Sequence, residues 1–390
     1  MNTKYRILMI SPQFKPIIGG YERSAERLSV ELAKIGHSVT VLAERRNMAW
    51  PSREVFDGIT LRRFWCLFKP GLHLATSLVS MATFLLCNAW RYQIYHVHQY
   101  GHHAAISIIL GKILHHPVIL KLTSTNQGGL SNRLKENPKL IQRVLIFLHK
   151  KVDACITTSS DAYNEALAFG IPAERIYLIG NGVNALEFSP CSDHEKLAKK
   201  KHLGIESELL ILYVGRISDE KNPLGLLSAW ASIKDEFRNA RLVFVGDGPQ
   251  FKLLRQKIEE LDCVESVRLA GKTADVLSWY QIADMYVLPS KHEGLANTLL
   301  EAMSCELPIV STRVSGSTDI FQRADIGELV NVGDTDELAS GIRKLLLDNT
   351  RRKQCGSAAR EIIRESYSLE SIARETSNTY DTLLRTRKSS

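Results

Sequence analysis

At 390 residues and 44% hydrophobic, the chain has enough apolar material for two domains with separate cores and too much for a disordered segment. Its net charge of +8 is uneven: residues 1–135 hold 17 Lys/Arg against 6 Asp/Glu, leaving 33 against 36 in the rest. A basic first third suits anionic lipid, nucleic acid, an acidic polymer or a merely soluble surface, and charge alone does not choose among them. The seven cysteines are scattered, odd in number and never in a C-x-x-C pair, which speaks against a disulfide framework and a zinc site. A reducing cytoplasm fits. Residues 1–5 lead straight into a strand pattern, so no signal peptide is expected.

Residues 6–11 read as a first strand, followed through Gly19-Gly20 by a helix over 22–35. Strands over 38–43, 59–64, 94–98, 118–123, 154–158 and 176–179 then alternate with helices over 72–90, 103–114, 137–150 and 161–169. The uncharged segment 71–90 nears spanning length, yet its Ser, Thr and Asn residues and flanking strands point to a buried or interfacial helix. A Lys-rich stretch over 188–204 reads as a linker with a short helix. The alternation restarts with strands over 209–214, 240–245, 267–270, 285–288 and 308–312, and 334–386 is helical. Such alternation predicts two doubly wound α/β domains, with ligands at the strand carboxyl ends and in the cleft between them.

The stretch 289–302 leaves a strand, turns at Gly294 and opens a helix. Free backbone N–H groups and the helix dipole make such a start a site for anions. Glu293 and Glu301 must then face something else, and polyhydroxyl groups supply the O–H donors that acceptor-only carboxylates need. Arg216 and Lys221 bracket the loop after strand 209–214. They suit a diphosphate, or form an ordinary surface ion-pair loop. Gly246-Asp247-Gly248-Pro249 begins like a dinucleotide fingerprint, but Phe251 stands where the third glycine belongs, which disfavours a nicotinamide site.

His96 and His98 share a strand face, with His102 and His103 just beyond. A metal would want Cys and acidic partners that are missing nearby. Ala296 occupies the place of a zinc protease's second histidine after His292-Glu293. Asp334-Thr335-Asp336 reads as a helix cap rather than a manganese-binding Asp-x-Asp.

Taken in order, Gly19-Gly20-x-Glu22, Ser159, Asn181-Gly182-Val183-Asn184 with Phe188, Gly215-Arg216 with Lys221, Gly246-Asp247-Gly248-Pro249, Pro289-Ser290, the Glu293/Glu301 pair and Leu307-Pro308-Ile309-Val310 resemble the retaining glycosyltransferases of family 4. The resemblance covers nearly the whole chain. It implies the GT-B fold, an α/β architecture of two Rossmann-like domains facing across a cleft. The acceptor-side domain would span 1–187, the linker 188–204 and the nucleotide-sugar domain 205–368, with a C-terminal helix, 369–390, crossing back onto the first domain. The implied reaction moves a sugar from a nucleotide diphosphate, expected to be UDP-linked, to a lipid-linked or polysaccharide acceptor. Surface glycan, lipopolysaccharide or glycolipid assembly is the implied setting.

By resemblance, Arg216 and Lys221 hold the diphosphate and stabilise the leaving charge. Glu293 accepts hydrogen bonds from donor-sugar hydroxyls, and Glu301 takes the ribose. Beside Gly294, the backbone of Leu295, Ala296, Asn297 and Thr298 approaches the phosphate, with Gly246 and Gly248 in the donor site. Gly19 and Gly20 close on it from the first domain, and His98 lies near sugar and acceptor. Two carboxylates alone also fit a hydrolase, but phosphate-binding groups have no role there. No metal or other cofactor is expected, and no nucleic acid. The expected location is cytoplasmic, peripheral on an anionic leaflet through the basic domain. A sugar-nucleotide epimerase, a phosphorylase or a non-catalytic nucleotide-sugar-binding partner would share the donor site. Departures from the family pattern are Ser124 to Gly129 where a histidine is common, Glu306 for a common Gly, Asp319 for a usual Glu, and Tyr21. Acceptor choice is expected in the loops 44–57 and 124–137.

Overall fold

The computed structural model describes residues 4–17, 19–122 and 140–388. They form two compact units, one from Met1–Gly182 with Leu369–Ser390 and one from Val183–Ser368. The strands of the first unit are β1 (Arg6–Ile10), β2 (Ser38–Arg45), β3 (Arg53–Phe56), β4 (Ile59–Trp65), β5 (Ile94–His98), β6 (Val118–Leu122), β7 (Ala154–Thr157) and β8 (Ile176–Leu178). They build one sheet in the order β3-β4-β2-β1-β5-β6-β7-β8. Along β1, Ile7 and Met9 enter one core and Leu8 and Ile10 another, the two-sided burial typical of parallel strands. Helix α1 (Gly20–Lys34) covers the Ile7/Met9 face. Helices α2 (His73–Asn88), α3 (His102–Ile113), α4 (Leu140–His149) and α5 (Ser160–Ala168) lie on the other.

β3 is absent from the alternation expected in the sequence. Asp57 and Gly58 sit at φ 47° and 78°, the mirror-image turn that matches strand twist, and they fold β3 antiparallel onto β4. The signal was the Asp-Gly pair itself.

The second unit has β9 (Leu209–Val214), β10 (Ala240–Val245), β11 (Val267–Gly271), β12 (Met285–Leu288), β13 (Ile309–Thr312) and β14 (Gly327–Val330). Their order is β11-β10-β9-β12-β13-β14, all parallel. Its helices are α6 (Asp193–His202), α7 (Pro223–Ala231), α8 (Phe251–Glu260), α9 (Leu277–Ile282), α10 (Asn297–Ser304), α11 (Ser315–Phe321), α12 (Thr335–Leu347) and α13 (Asn349–Ile362). The expected linker 188–204 is part of this unit. Helix α6 opens on a capping box of Ser192 and Glu195, and Lys196 Nζ donates to Asp284 Oδ1 at 2.7 Å. β14 and α11 were not foreseen, because each is a single short element.

The last helix, α14 (Leu369–Lys388), returns to the first unit and packs beside α1. Its Ile372, Ala373 and Tyr380 join the Ile7/Met9 core. His37 Nε2 meets Ser377 Oγ at 2.9 Å, and Tyr5 Oη donates to Asp381. Among the described residues no helix is long and apolar enough to cross a membrane, and α2 has 16 residues.

In both sheets the strand order reverses beside the first strand. β1 lies between β2 and β5, and β9 between β10 and β12. Loops leaving the carboxyl ends of strands on either side of such a point diverge, and ligands of open α/β sheets bind in the crevice they leave.

Candidate functional site

At the reversal in the second sheet, the loop after β9 carries Gly215 to Asn222 and the loop after β12 carries Pro289 to Ala296. Asn222, at φ 51°, caps α7 by accepting from Gly225 N at 3.3 Å, and Pro223 fills the first helical position. This fixes the end of the β9 loop and with it Lys221. The Lys221 ammonium donates to the Glu293 carboxylate. Two further contacts tie the loops together: Lys291 N donates to Glu220 O at 2.8 Å, and Lys291 Nζ meets Asp219 Oδ1 at 2.7 Å. Burial pushes the Glu293 carboxyl above its ordinary range, and the Lys221 charge opposes the rise. Arg216 is exposed, and its guanidinium has no ion pair among the described residues.

Glycines bring these loops together. Gly246 sits at φ 142°, and a Cβ there would lie 1.8 Å from Gly215 O. One on Gly248 would lie 2.4 Å from Ile217 O. The β10 loop therefore packs backbone to backbone against the β9 loop, with Ile217 N donating to Asp247 O at 3.0 Å. Gly316 was missed in the sequence. Its N–H donates to Gly294 O at 2.7 Å, and a Cβ would lie 2.1 Å from that oxygen, so the Glu293-Gly294 turn rests on the start of α11.

Helix α10 begins after Ala296, whose side chain cannot cap its first turn. Its early N–H groups are thus left to backbone, water or an anion. Glu301 is 2% exposed and accepts from Tyr280 Oη at 3.1 Å, while Tyr286 Oη donates to Thr298 Oγ1 at 2.8 Å. These tyrosines, on α9 and β12, position the carboxylate and the first turn from below. Sequence reading had missed both.

The first sheet's reversal holds a different set. Gly19 precedes α1 with an extended backbone. Glu22, in the first turn, is buried, and Gln13 bridges it to Arg46 when its amide is oriented to suit its neighbours. His98 closes β5 but is only 2% exposed. It stacks on His96 with ring centroids 4.9 Å apart, its Nε2 lies 2.9 Å from Met9 Sδ, and its Nδ1 has no hydrogen-bond partner among the described residues. His96 Nδ1 meets Tyr380 Oη at 2.6 Å. Lys121 faces His98 in register on β6 and is buried. Burial holds Lys121 at about 8 and, with the Lys121 charge, His96 at about 3. Burial first, then His96 and Lys121, drives His98 well below the ordinary histidine value, so its ring is neutral at pH 7.

Residues 18–185 match the family described as Glycosyltransferase Family 4, and residues 195–362 match Glycosyl transferases group 1. The chain belongs to the family 4 glycosyltransferases, with the GT-B fold. It is 27% identical over 377 residues to the N-acetyl-alpha-D-glucosaminyl L-malate synthase of Bacillus anthracis, covering 95% of this chain and 96% of that one. To the capsular polysaccharide biosynthesis glycosyltransferase CapM of Staphylococcus aureus it is 27% identical over 263 residues, 64% of this chain and 68% of CapM. The structure of Anabaena Alr3699/HepE in complex with UDP shares the fold with a TM-score of 0.81 at 19% identity, covering 97% and 100% of the two chains.

This glycosyltransferase also gathers a second polar cluster that corrects one expectation. Of the histidines near β5, His103 does have an acidic neighbour in space, and a Cys lies beside that acid. Glu44 from the end of β2 and Cys66 after β4 lie beside His73 of α2, their ligating atoms within 4.8 Å of one another. Glu44 Oε1 is 3.4 Å from His103 Nε2 on α3. The carboxylate is already occupied, however: Ser77 Oγ donates to Oε1 at 2.7 Å and Arg46 Nη2 reaches Oε2 at 2.9 Å. A cation would have to displace that guanidinium. Burial acts to raise the Glu44 carboxyl, but hydrogen bonds from His103 and Ser77 and the Arg46 charge outweigh it and hold it at about 2. Asp334 accepts from Asp336 N and Glu337 N, so it caps α12. The departures at 124–129 and the loop 124–137 lie outside the described residues.

Proposed function

We propose that this family 4 glycosyltransferase moves a sugar, with retained anomeric configuration, from a UDP-linked donor to a lipid-linked or polysaccharide acceptor in cell-surface glycan assembly. The observation that carries the reading is the Lys221–Glu293 pair at the β9/β12 reversal, beside exposed Arg216 and the start of α10. UDP leaves as an anion. Arg216, Lys221 and the first-turn N–H groups of α10 supply the positive potential that a metal supplies in other transferases, and stabilising the departing charge usually does more for such a reaction than any other single effect. A diphosphate arriving at Lys221 shares its ammonium with Glu293. The carboxylate then turns its acceptor capacity to donor-sugar hydroxyls. Glu301 receives the ribose, and Gly246 and Gly248 hold the β10 loop against the β9 loop at the donor site.

UDP in the Anabaena protein of like fold supports the choice of base, and the name of CapM supports the setting. In the first unit, Gly19 and Gly20 would be donor-side residues. His98 would reach a substrate through Nδ1, which has no hydrogen-bond partner among the described residues. The enzyme would work from the cytoplasm, meeting its acceptor at a membrane.

Calorimetric titration with UDP and other nucleoside diphosphates tests the donor, followed by NMR assignment of the product anomer. UDP is expected to bind most tightly and the product to keep the donor's configuration. An inverted product, or preference for another base, overturns the corresponding part of the proposal.

A further inference from the structure

Helix α2 is apolar on both long faces. Met81, Leu85 and Ala89 turn inward with Ser77. The opposite stripe faces solvent: Val79 and Leu86, with Thr83 between them, continued by Leu72 just before the helix and by Trp90 just after it, the last 71% exposed. A helix with large apolar side chains on two opposite faces is normally covered on both by protein or lipid. The pattern continues sideways: α3 packs beside α2, and α4 beside α3. Their outward faces present Ile109 and Ile113, then Val144 and Phe147, the last 60% exposed. An apolar surface spread across three adjacent helices differs from the scattered apolar residues of an ordinary soluble surface.

Charge indicates what covers it. Residues 58–135 contain no Asp or Glu, and Glu136 is the only one before Asp153. The face is rimmed by exposed cations: Lys69 before α2, Arg91 after it, Arg143 on α4, and Lys150 and Lys151 beyond. Arg91 lies over the Trp90 ring at 4.6 Å and Lys151 over Phe147 at 5.2 Å. Aromatic rings with cations beside them are suited to the headgroup level of a membrane, where one end is apolar and the other meets phosphate. A second copy of the chain fits poorly, since a two-fold contact would set this cationic rim against itself.

We propose that the outer face of α2, α3 and α4 docks on an anionic lipid bilayer, the helices lying in the interfacial plane. This deepens the reading of a membrane-held acceptor, for which it supplies the contact surface. Its physical basis does not involve the donor site.

The test is flotation of the full chain with phosphatidylcholine vesicles, with and without phosphatidylglycerol, alongside calorimetry with UDP. Binding is expected only to the anionic vesicles and to weaken about tenfold or more at high salt. The double variants Val79→Asp/Leu86→Asp and Lys150→Glu/Lys151→Glu should each lose about tenfold or more in vesicle affinity, with thermal midpoint and UDP affinity unchanged. Failure of the wild type to float, or wild-type flotation by both variants, overturns the docking surface. So does a dimer that Val79→Asp/Leu86→Asp dissociates while flotation persists. Flotation without UDP binding would sustain the surface and sink the donor assignment instead.

Discussion

At the carboxyl end of β9, Arg216 is exposed and Lys221 pairs with Glu293, whereas at the ends of β5 and β6 His98 and Lys121 are enclosed and burial works against their charge. The two sheets reverse in the same way, so topology offers both ends to a ligand. Solvation separates them. Polar side chains with an outlet to solvent present charge to a substrate, and polar side chains without one are pushed towards neutrality and become part of the packing.

The contrast can be broken first at its glycines. Gly246→Ala meets both a positive φ and a backbone oxygen 1.8 Å away, and should cost about 3 kcal/mol or more. Gly101, at φ 149° after β5, has nothing within 4 Å, so Gly101→Ala should cost only about 1 kcal/mol. Denaturant unfolding measures both, and equal losses would mean that the β9 and β10 loops are not packed backbone to backbone.

Acid exposes the first unit. Glu44 is held at about 2 against an ordinary 4.5, so it contributes stability above 4.5 that is lost as pH falls towards 2. The full contribution is about 3 kcal/mol. His96, held at about 3 against 6.5, adds a loss that starts as pH drops below 6.5, because the unfolded chain takes the proton first. Glu44→Gln should therefore be less stable than wild type at pH 7, with the gap narrowing below pH 4.5 and closing only near pH 2. Parallel stability curves would exclude the Glu44 contribution.

Lys221→Ala should weaken UDP binding and slow transfer by about 10- to 150-fold, the loss of one charge-assisted contact of about 1.5–3 kcal/mol. It also strands the Glu293 carboxylate. Adding Glu293→Gln should restore the thermal midpoint without restoring UDP affinity, which separates donor binding from ion-pair stability. The smallest effect is expected at Glu306, whose φ of 64° suits glycine: Glu306→Gly should gain about 0.5–1 kcal/mol in thermal unfolding.

How much of this was readable in the sequence depended on chain distance. The second unit's site was legible because Arg216 and Lys221 lie in one loop and Glu293 and Glu301 in one strand-to-helix connection, where a few residues define the geometry. The domain alternation was legible for the same local reason. Glu44, Cys66, His73 and His103 come from two strand ends and two helices, and no short window shows them meeting. The enclosure of the stacked His96/His98 pair was equally hidden, since Tyr380, the partner of His96, lies 284 residues beyond it. Gly316 carried a visible signal as a lone glycine after β13, but its contact with Gly294 is tertiary.

The return of α14 has a consequence for synthesis on the ribosome. Residues up to Gly182 emerge early, yet their core lacks Ile372, Ala373 and Tyr380 until α14 is made. At usual elongation rates the intervening segment takes about 10–40 s to translate. Throughout that interval the Ile7/Met9 face of the sheet, hydrophobic and incomplete, must be shielded by nascent structure or by chaperones, so the first unit to be synthesised is the last to be finished.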